Sequence, residues 1–233
     1  MQFKELRIEI KFSIREIDKI NWDEMTREVD IPFYEWSWFL NLEESKSVDR
    51  STGWQPLFFV TYCKHQIVGI APLFLKNHSY GEFIFDQSFA RLAQDLNLNY
   101  YPKLIGMSPY SPVEGYQFIY KQNWNKKWIT EFLIKKIEDF ALKNNILSIN
   151  FLYVNHKWGN YLKELGYSDW INIRSEWKGR KENSFNDFLL RFNSNQRRNI
   201  KRERKFIKEQ KINIRTYKEE NINIEIIKKM YFF

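Results

Sequence analysis

Two runs decide the fold: Gln55-Pro56-Leu57-Phe58-Phe59-Val60-Thr61-Tyr62 and Gln66-Ile67-Val68-Gly69-Ile70-Ala71-Pro72-Leu73-Phe74-Leu75-Lys76, joined by Cys63-Lys64-His65. Both are apolar and rich in β-branched and aromatic residues, and the link is short and polar, so the pair reads as a β-hairpin. Upstream, Leu6, Ile8, Ile10, Phe12 and Ile14 alternate with Arg7, Glu9, Lys11 and Ser13, the period of two that marks a half-buried strand. The segment 17–42 is helical in pattern, divided by Pro32, with Trp36, Phe39 and Leu40 forming an apolar stripe on its second part.

Downstream, Phe83–Phe85 is expected to extend the sheet and Ser88 to cap a short helix ending at Leu96. Three prolines and two glycines between Asn99 and Gly115 predict an ordered loop with one short strand at 104–107. In 124–144, Trp128, Ile129, Phe132, Leu133, Ile137, Phe140 and Ala141 recur at helical spacing. A buried strand (146–154), a helix (156–165) stopped by Gly166 and a strand (167–177) follow. This order predicts an α/β layered domain over residues 1–178. From 179 onward, Ser184 is placed to cap a long basic helix over 185–210, 211–217 alternates as a strand, and 222–233 begins an amphipathic helix. Strand and helix repeat the start of the chain, so the expectation is a basic linker helix followed by the beginning of a second α/β domain that runs past Phe233.

A chain of 233 residues, 43% hydrophobic and 28% charged, has the composition of a soluble globular protein. No apolar run approaches the roughly 20 residues of a membrane span. The N-terminus lacks the apolar core of a signal peptide. The single cysteine, Cys63, cannot form an internal disulfide. A cytoplasmic location is the default these features set.

Net charge is +8, and it is not evenly spread: residues 177–233 hold 16 Lys and Arg against 7 Asp and Glu. Within Arg197–Lys208 seven cations face one acid, among them Arg197, Arg198, Lys201, Arg202 and Arg204. Such a run attracts phosphate-bearing partners, and it also suits a plain solvated helix face. The eight glycines stand apart with no GxG, which excludes a Walker loop and a dinucleotide fingerprint. His65, His78 and His156 are scattered and no CxxC exists, so no metal site is expected.

Two clusters carry the remaining chemistry. His78-Ser79-Tyr80-Gly81-Glu82-Phe83-Ile84-Phe85-Asp86 follows directly on the hairpin, at a strand end where α/β sheets place their sites. With a turn at Gly81, His78 and Glu82 come within reach and suit proton transfer from an amine or hydroxyl, with Ser79 and Asp86 as substrate contacts. The alternative is a loop held by its own hydrogen bonds, with Asp86 capping the next helix. Tyr100-Tyr101-Pro102-Lys103 and Ser108-Pro109-Tyr110-Ser111-Pro112 form a stiff aromatic wall whose Tyr100, Tyr101, Lys103, Tyr110 and Ser111 suit a sugar or peptide, or simply pack as loop.

Taken with Trp38-Phe39-Leu40, Leu42-Glu43-Glu44-Ser45-Lys46-Ser47-Val48, Gly53-Trp54-Gln55-Pro56, Ser111-Pro112-Val113-Glu114-Gly115 and Asn195-Gln196-Arg197-Arg198-Asn199-Ile200-Lys201-Arg202-Glu203-Arg204, these clusters resemble a bacterial family of GNAT-like N-acyltransferases, the peptidoglycan biosynthesis/recognition proteins, similar in plan to Fem-type peptidyltransferases. The resemblance implies a GNAT-like mixed sheet flanked by helices, followed by the start of a second GNAT-like domain. It implies an acyl- or aminoacyl-transferase acting on an amine acceptor, a small molecule, peptide or glycan with a cell-wall precursor as one candidate; on the reading of the residues above, Glu82 or His78 would assist deprotonation. The donor would be acyl-CoA or aminoacyl-tRNA, with no permanently bound cofactor, and the basic helix would suit tRNA. The alternative is a recognition module that binds glycan, peptide or RNA without turnover. Two features depart from the pattern: Glu176-Trp177 stands where the family tends to have His-Trp, and the Gly-rich acetyl-CoA pyrophosphate loop is absent. A GNAT acyl cleft would open as a splay between neighbouring parallel strands.

Overall fold

A six-stranded mixed sheet flanked by helices carries the chain in a computed structural model that describes residues 6–29, 31–173, 175–179, 182–218 and 221–232. The elements of the first part are β1 (Leu6–Lys11), α1 (Lys19–Thr26), α2 (Trp36–Glu44), β2 (Trp54–Cys63), β3 (Gln66–Lys76) and α3 (Gln87–Asp95). They continue with β4 (Lys103–Gly106), β5 (Ile119–Tyr120), α4 (Lys126–Lys143), β6 (Ile149–Phe151) and α5 (His156–Glu164). Sheet order is β1-β2-β3-β4-β6, with β5 also on β3. Every pairing between these strands is antiparallel except β4 with β6, and an isolated bridge between Tyr116 and Val154 is also parallel.

The hairpin forms as its sequence predicts, in the register Leu57↔Leu73 and Phe59↔Ala71, and its turn places Lys64 at φ 54°. Successive residues of a strand point to opposite faces. Leu57, Phe59, Ala71 and Leu73 therefore enter one core with Ile129, Leu133, Ile137, Trp158 and Leu162 of α4 and α5. Phe58, Val60, Ile70 and Phe74 enter the other with Trp22, Met25, Phe39 and Leu42 of α1 and α2. Covering on both faces explains why these strands are continuous apolar runs and not alternating ones.

Along its outer edge β3 changes partner: Gly69 and Ile70 pair with β5, and Phe74 to Lys76 pair with β4. In the interval the Tyr116 hydroxyl donates to Pro72 O at 2.8 Å, and rings of Tyr116, Phe118, Phe151 and Trp158 fill the space. The parallel pair is closed by the register Leu104↔Ile149, Ile105↔Asn150 and Gly106↔Phe151, so no splay opens between those residues.

Several elements differ from the sequence expectation. The 83–85 segment is loop, with Phe83 at φ 57°. The strand expected over 146–154 is confined to Ile149–Phe151. The two-residue β5 carries no periodicity from which it could be read. Among the described residues of 167–177 and 211–217 no strand forms; Ile171 and Ile173 are 83% and 99% exposed, and an alternating pattern becomes a strand only where a neighbouring sheet covers one face.

By contact the chain divides into two compact units, Met1–Trp170 and Ile171–Phe233. The second contains α6 (Phe185–Leu189), α7 (Ser194–Glu209) and α8 (Ile224–Tyr231) among its described residues. Ser184 does cap a helix, accepting from Asp187 N–H, but that helix stops at Leu189. Asn193 and Gln196 then form a reciprocal capping box that starts α7 afresh, because an Asn side chain that binds the backbone ahead of it competes with helix continuation. No helix among the described residues is long and apolar enough to cross a membrane.

The seat of α4 on the hairpin is testable at Gly69, where a Cβ would stand 2.4 Å from Ile129 Cγ2. Gly69→Ala is expected to cost about 1–3 kcal/mol in urea unfolding, the usual range for an overpacked core. Because the clash is with one side chain, Gly69→Ala/Ile129→Ala should cost less than the sum of the two single changes.

Candidate functional site

The site begins with a register. Lys76 ends β3, Lys103 opens β4, and the two are direct antiparallel partners, so both side chains leave the same face of the sheet. Like charges so placed repel, and both lysines are fully buried, so the arrangement requires anions. The connection between β3 and α3 delivers them as Glu82 and Asp86, also buried. Gly81 permits the turn at φ 81°; a Cβ there would lie 2.8 Å from the Tyr110 ring. From the far side of the loop, the Tyr153 hydroxyl shares its one proton between the carbonyls of Glu82 and Phe83, at 2.9 and 3.0 Å.

Lys103 is the hub. Its ammonium donates to Glu82 Oε2 at 2.7 Å, to Ser79 Oγ at 2.8 Å and to Asp86 Oδ2, which uses all three of its protons. Tyr100 donates its hydroxyl to the same Asp86 oxygen at 2.8 Å, and the Tyr101 hydroxyl meets Ser79 Oγ at 2.8 Å. Lys76 sits 3.7 Å above the Trp54 ring, donates to Tyr80 O at 3.0 Å, and stands 3.8 Å from Glu82 Oε1. That oxygen and Asp86 Oδ1 are buried without a hydrogen-bond partner.

His78 does not meet Glu82 as expected; Lys76 occupies the position between them. The His78 Nε2 lies 2.8 Å from Thr52 O, which only accepts, so Nε2 carries the hydrogen. Nδ1 then accepts from Lys76 Nζ and Tyr80 N–H, both at 3.1 Å. Its lone pair is engaged, and Glu82 is 0% exposed, so neither group faces an incoming amine in this arrangement. Nor does Asp86 cap α3 with its side chain, although it occupies the N-cap position: its carboxylate turns inward to Lys103.

The two carboxyls are driven apart. Burial raises Glu82 above the usual range against the opposing hydrogen bond from Lys103. Burial also works against ionised Asp86, but hydrogen bonds from Lys103, Ser79 and Tyr100 outweigh it and hold this carboxyl below the usual range. Desolvation lowers Lys76 to about 7 in spite of Glu82, and Lys103 reinforces the fall. Tyr100 is raised by burial and by its bond to Asp86.

Of the remaining expected site residues, Tyr110 packs on Trp54 at 5.3 Å and donates to Ser47 O at 2.7 Å, and Ser111 is buried in the following turn. Tyr110 thereby supports the loop at Gly81 from behind. Tyr100 and Tyr101 line an open groove of about 680 Å³ on their outer side. Sequence reading assigns no site role to Lys76, Trp54 or Tyr153, although Trp54 stands in one of the family-like motifs. For Lys76 the signal was present, as a cation closing an otherwise apolar strand run.

In the second unit the spacing of Arg197, Lys201, Arg204 and Lys208 sets four cations on one face of α7. Arg197 is partly spent on Phe192 O at 2.6 Å and Arg204 on the Phe185 ring at 3.9 Å, whereas Arg198, Lys201 and Arg202 are exposed. Among the described residues no cluster of three or more His, Cys, Asp or Glu side chains is placed to hold a metal ion.

Between about pH 7 and pH 9 the folded protein binds fewer protons at Lys76 than the unfolded chain does, so this residue makes stability rise with pH. Measured by urea unfolding at the two pH values, the wild type should gain on the order of 1 kcal/mol relative to Lys76→Met, whose curve lacks that contribution.

The sequence profile of the FemAB-like family, described as peptidoglycan biosynthesis/recognition, matches residues 13–233. No curated protein matches the chain. Among solved structures, an aminoglycoside acetyltransferase, meta-AAC0020, from an uncultured soil metagenomic sample and crystallised with trehalose, is similar at 13% identity and a TM-score of 0.41. That match covers 77% of this chain and 99% of the other. With nearly its whole length under the family profile, this chain belongs to the FemAB-like family of peptidoglycan biosynthesis/recognition proteins.

Proposed function

We propose that the protein transfers an acyl or aminoacyl group to an amine of a cell-wall precursor, and that its first unit holds this acceptor beside Tyr100 and Tyr101. The observation that carries the reading is convergence. The loop after the hairpin and the tyrosine-proline segment, on either side of α3, meet at one buried ionic hub whose outer wall is a ligand-sized groove. Membership in a peptidoglycan family supports a cell-wall precursor as the acceptor.

Transfer forms the N–C bond of the product amide and breaks the C–O bond of an aminoacyl ester or the C–S bond of a thioester. The proton lost by the amine ends on the departing oxygen or sulfur. Glu82 and His78 act in this scheme as positioning residues: they fix Lys103 and Lys76, which fix the loop and the two tyrosines. The donor, aminoacyl-tRNA or acyl-CoA, is a substrate and not a resident group. The exposed cations of α7 favour the tRNA form, with an affinity that falls steeply as salt rises.

A second reading, recognition without turnover, is favoured by the closed β4–β6 pair, which leaves no acyl cleft between those strands. Mass spectrometry of a muramyl pentapeptide incubated with the protein and either donor separates the two. Transfer predicts a mass gain equal to the acyl or aminoacyl group; binding of the muramyl pentapeptide without any gain supports recognition; absence of binding removes both.

A further inference from the structure

We propose that the groove between α3 and the 97–101 segment is a saccharide subsite, shaped for an N-acetylated or polyhydroxylated sugar portion of the acceptor and not for its peptide. This rests on the acceptor reading above and narrows it to one chemistry.

The groove is built from a helix and the chain that returns along it. Gln87, Arg91 and Gln94 recur at spacings of four and three, so they share one face of α3, about 10 Å long from first to last. The helix closes with Leu98 N–H on Ala93 O at 2.8 Å and Asn97 N–H on Gln94 O at 3.0 Å, and Asn97 lies in the left-handed region at φ 55°. This C-terminal motif reverses the chain and sets Asn97, Asn99, Tyr100 and Tyr101 opposite the helical row.

The lining has a chemical bias. Gln87, Gln94, Asn97 and Asn99 each offer one acceptor and two donors, the complement that hydroxyl and N-acetyl groups require. None of these amides, nor Arg91, spends a side-chain hydrogen bond or ion pair within the protein among the described residues. They are exposed yet arranged around one concavity of about 680 Å³, within the range of small-ligand clefts. Among the described residues no carboxylate lines the groove, so it offers no counter-ion to the free amine of a stem peptide, and Arg91 is the one charged side chain there.

The aromatic wall is fixed from behind. Tyr100 and Tyr101 stand edge to face, 5.0 Å apart at 82°, which presents a corner. Their hydroxyls are anchored on Asp86 and Ser79, and the Lys103 ammonium lies 5.5 and 5.8 Å from the two ring centroids. Amphipathic aromatic faces bordered by amides suit a ring that is apolar on its C–H face and polar at its edge. The buried hub thereby acquires a purpose beyond stability, because it holds two sugar-facing rings at fixed angles.

Calorimetric titration of the full chain tests this, with the N-acetylglucosamine tetramer and a sugar-free stem pentapeptide as separate probes. The tetramer is expected to bind, and Gln87→Ala/Gln94→Ala to weaken it about tenfold or more, since each lost hydrogen bond is worth roughly 3- to 10-fold. Alanine favours helix at both positions, so the far-ultraviolet spectrum and unfolding midpoint should be retained. Tetramer binding that the double variant leaves unchanged overturns the assignment. Binding of the pentapeptide without the tetramer overturns it while the acceptor reading stands, and binding of neither overturns both.

Discussion

A buried ammonium cannot stand alone, and Lys103 shows what that constraint imposes. Removing a charge from water costs several kcal/mol, which is recovered only where every proton finds an acceptor and an opposite charge lies close. Lys103 obtains this from Glu82, Asp86 and Ser79. All three lie on the chain between β3 and α3, so satisfying one side chain fixes a whole connection. The same requirement orients Tyr100 and Tyr101, whose hydroxyls bond the groups that Lys103 holds. Lys76 adds a second buried cation beside the first and is offset by Glu82 and the face of Trp54. The outer surface of this region is thus set from inside.

The sheet makes the constraint effective because it is covered on both faces. Helices α4 and α5 close one side and α1 and α2 the other, so the ends of β3 and β4 are held by packing on two sides. Only at the strand ends do polar groups gather. Tyr116 and its aromatic neighbours occupy the place where β3 changes partner, so the middle of the sheet is filled by apolar rings.

What the sequence discloses follows from how local each signal is. The hairpin and α4 are legible because their apolar patterns are long and set by burial along one element. The convergence of His78–Asp86 with Tyr100–Lys103 is legible as two polar clusters flanking apolar strands. The pairing within the cluster is not, since reach along the chain suggested His78 with Glu82, whereas the register of β3 and β4 puts lysines next to each other and Lys76 takes the intervening place. Register is a tertiary property that no window of sequence contains. The alternation over 167–177 and 211–217 forms no strand among the described residues for a related reason: alternation reports a capacity for pairing, and among the described residues Ile171, Ile173 and Ile214 have no covering sheet. The long basic helix divided because Asn193 and Gln196 satisfy each other's backbone groups, a three-residue signal that a charge run conceals.

The most direct test is a thermodynamic cycle on the hub, comparing Lys103→Met, Glu82→Gln/Asp86→Asn and the triple variant by urea unfolding at pH 7. If the ammonium exists to balance two buried carboxyls, Lys103→Met alone costs about 3–5 kcal/mol, and the triple variant falls short of the summed costs by at least about 2 kcal/mol. Costs that add to within about 0.5 kcal/mol would contradict the account, because the three side chains would then be neighbours without being partners.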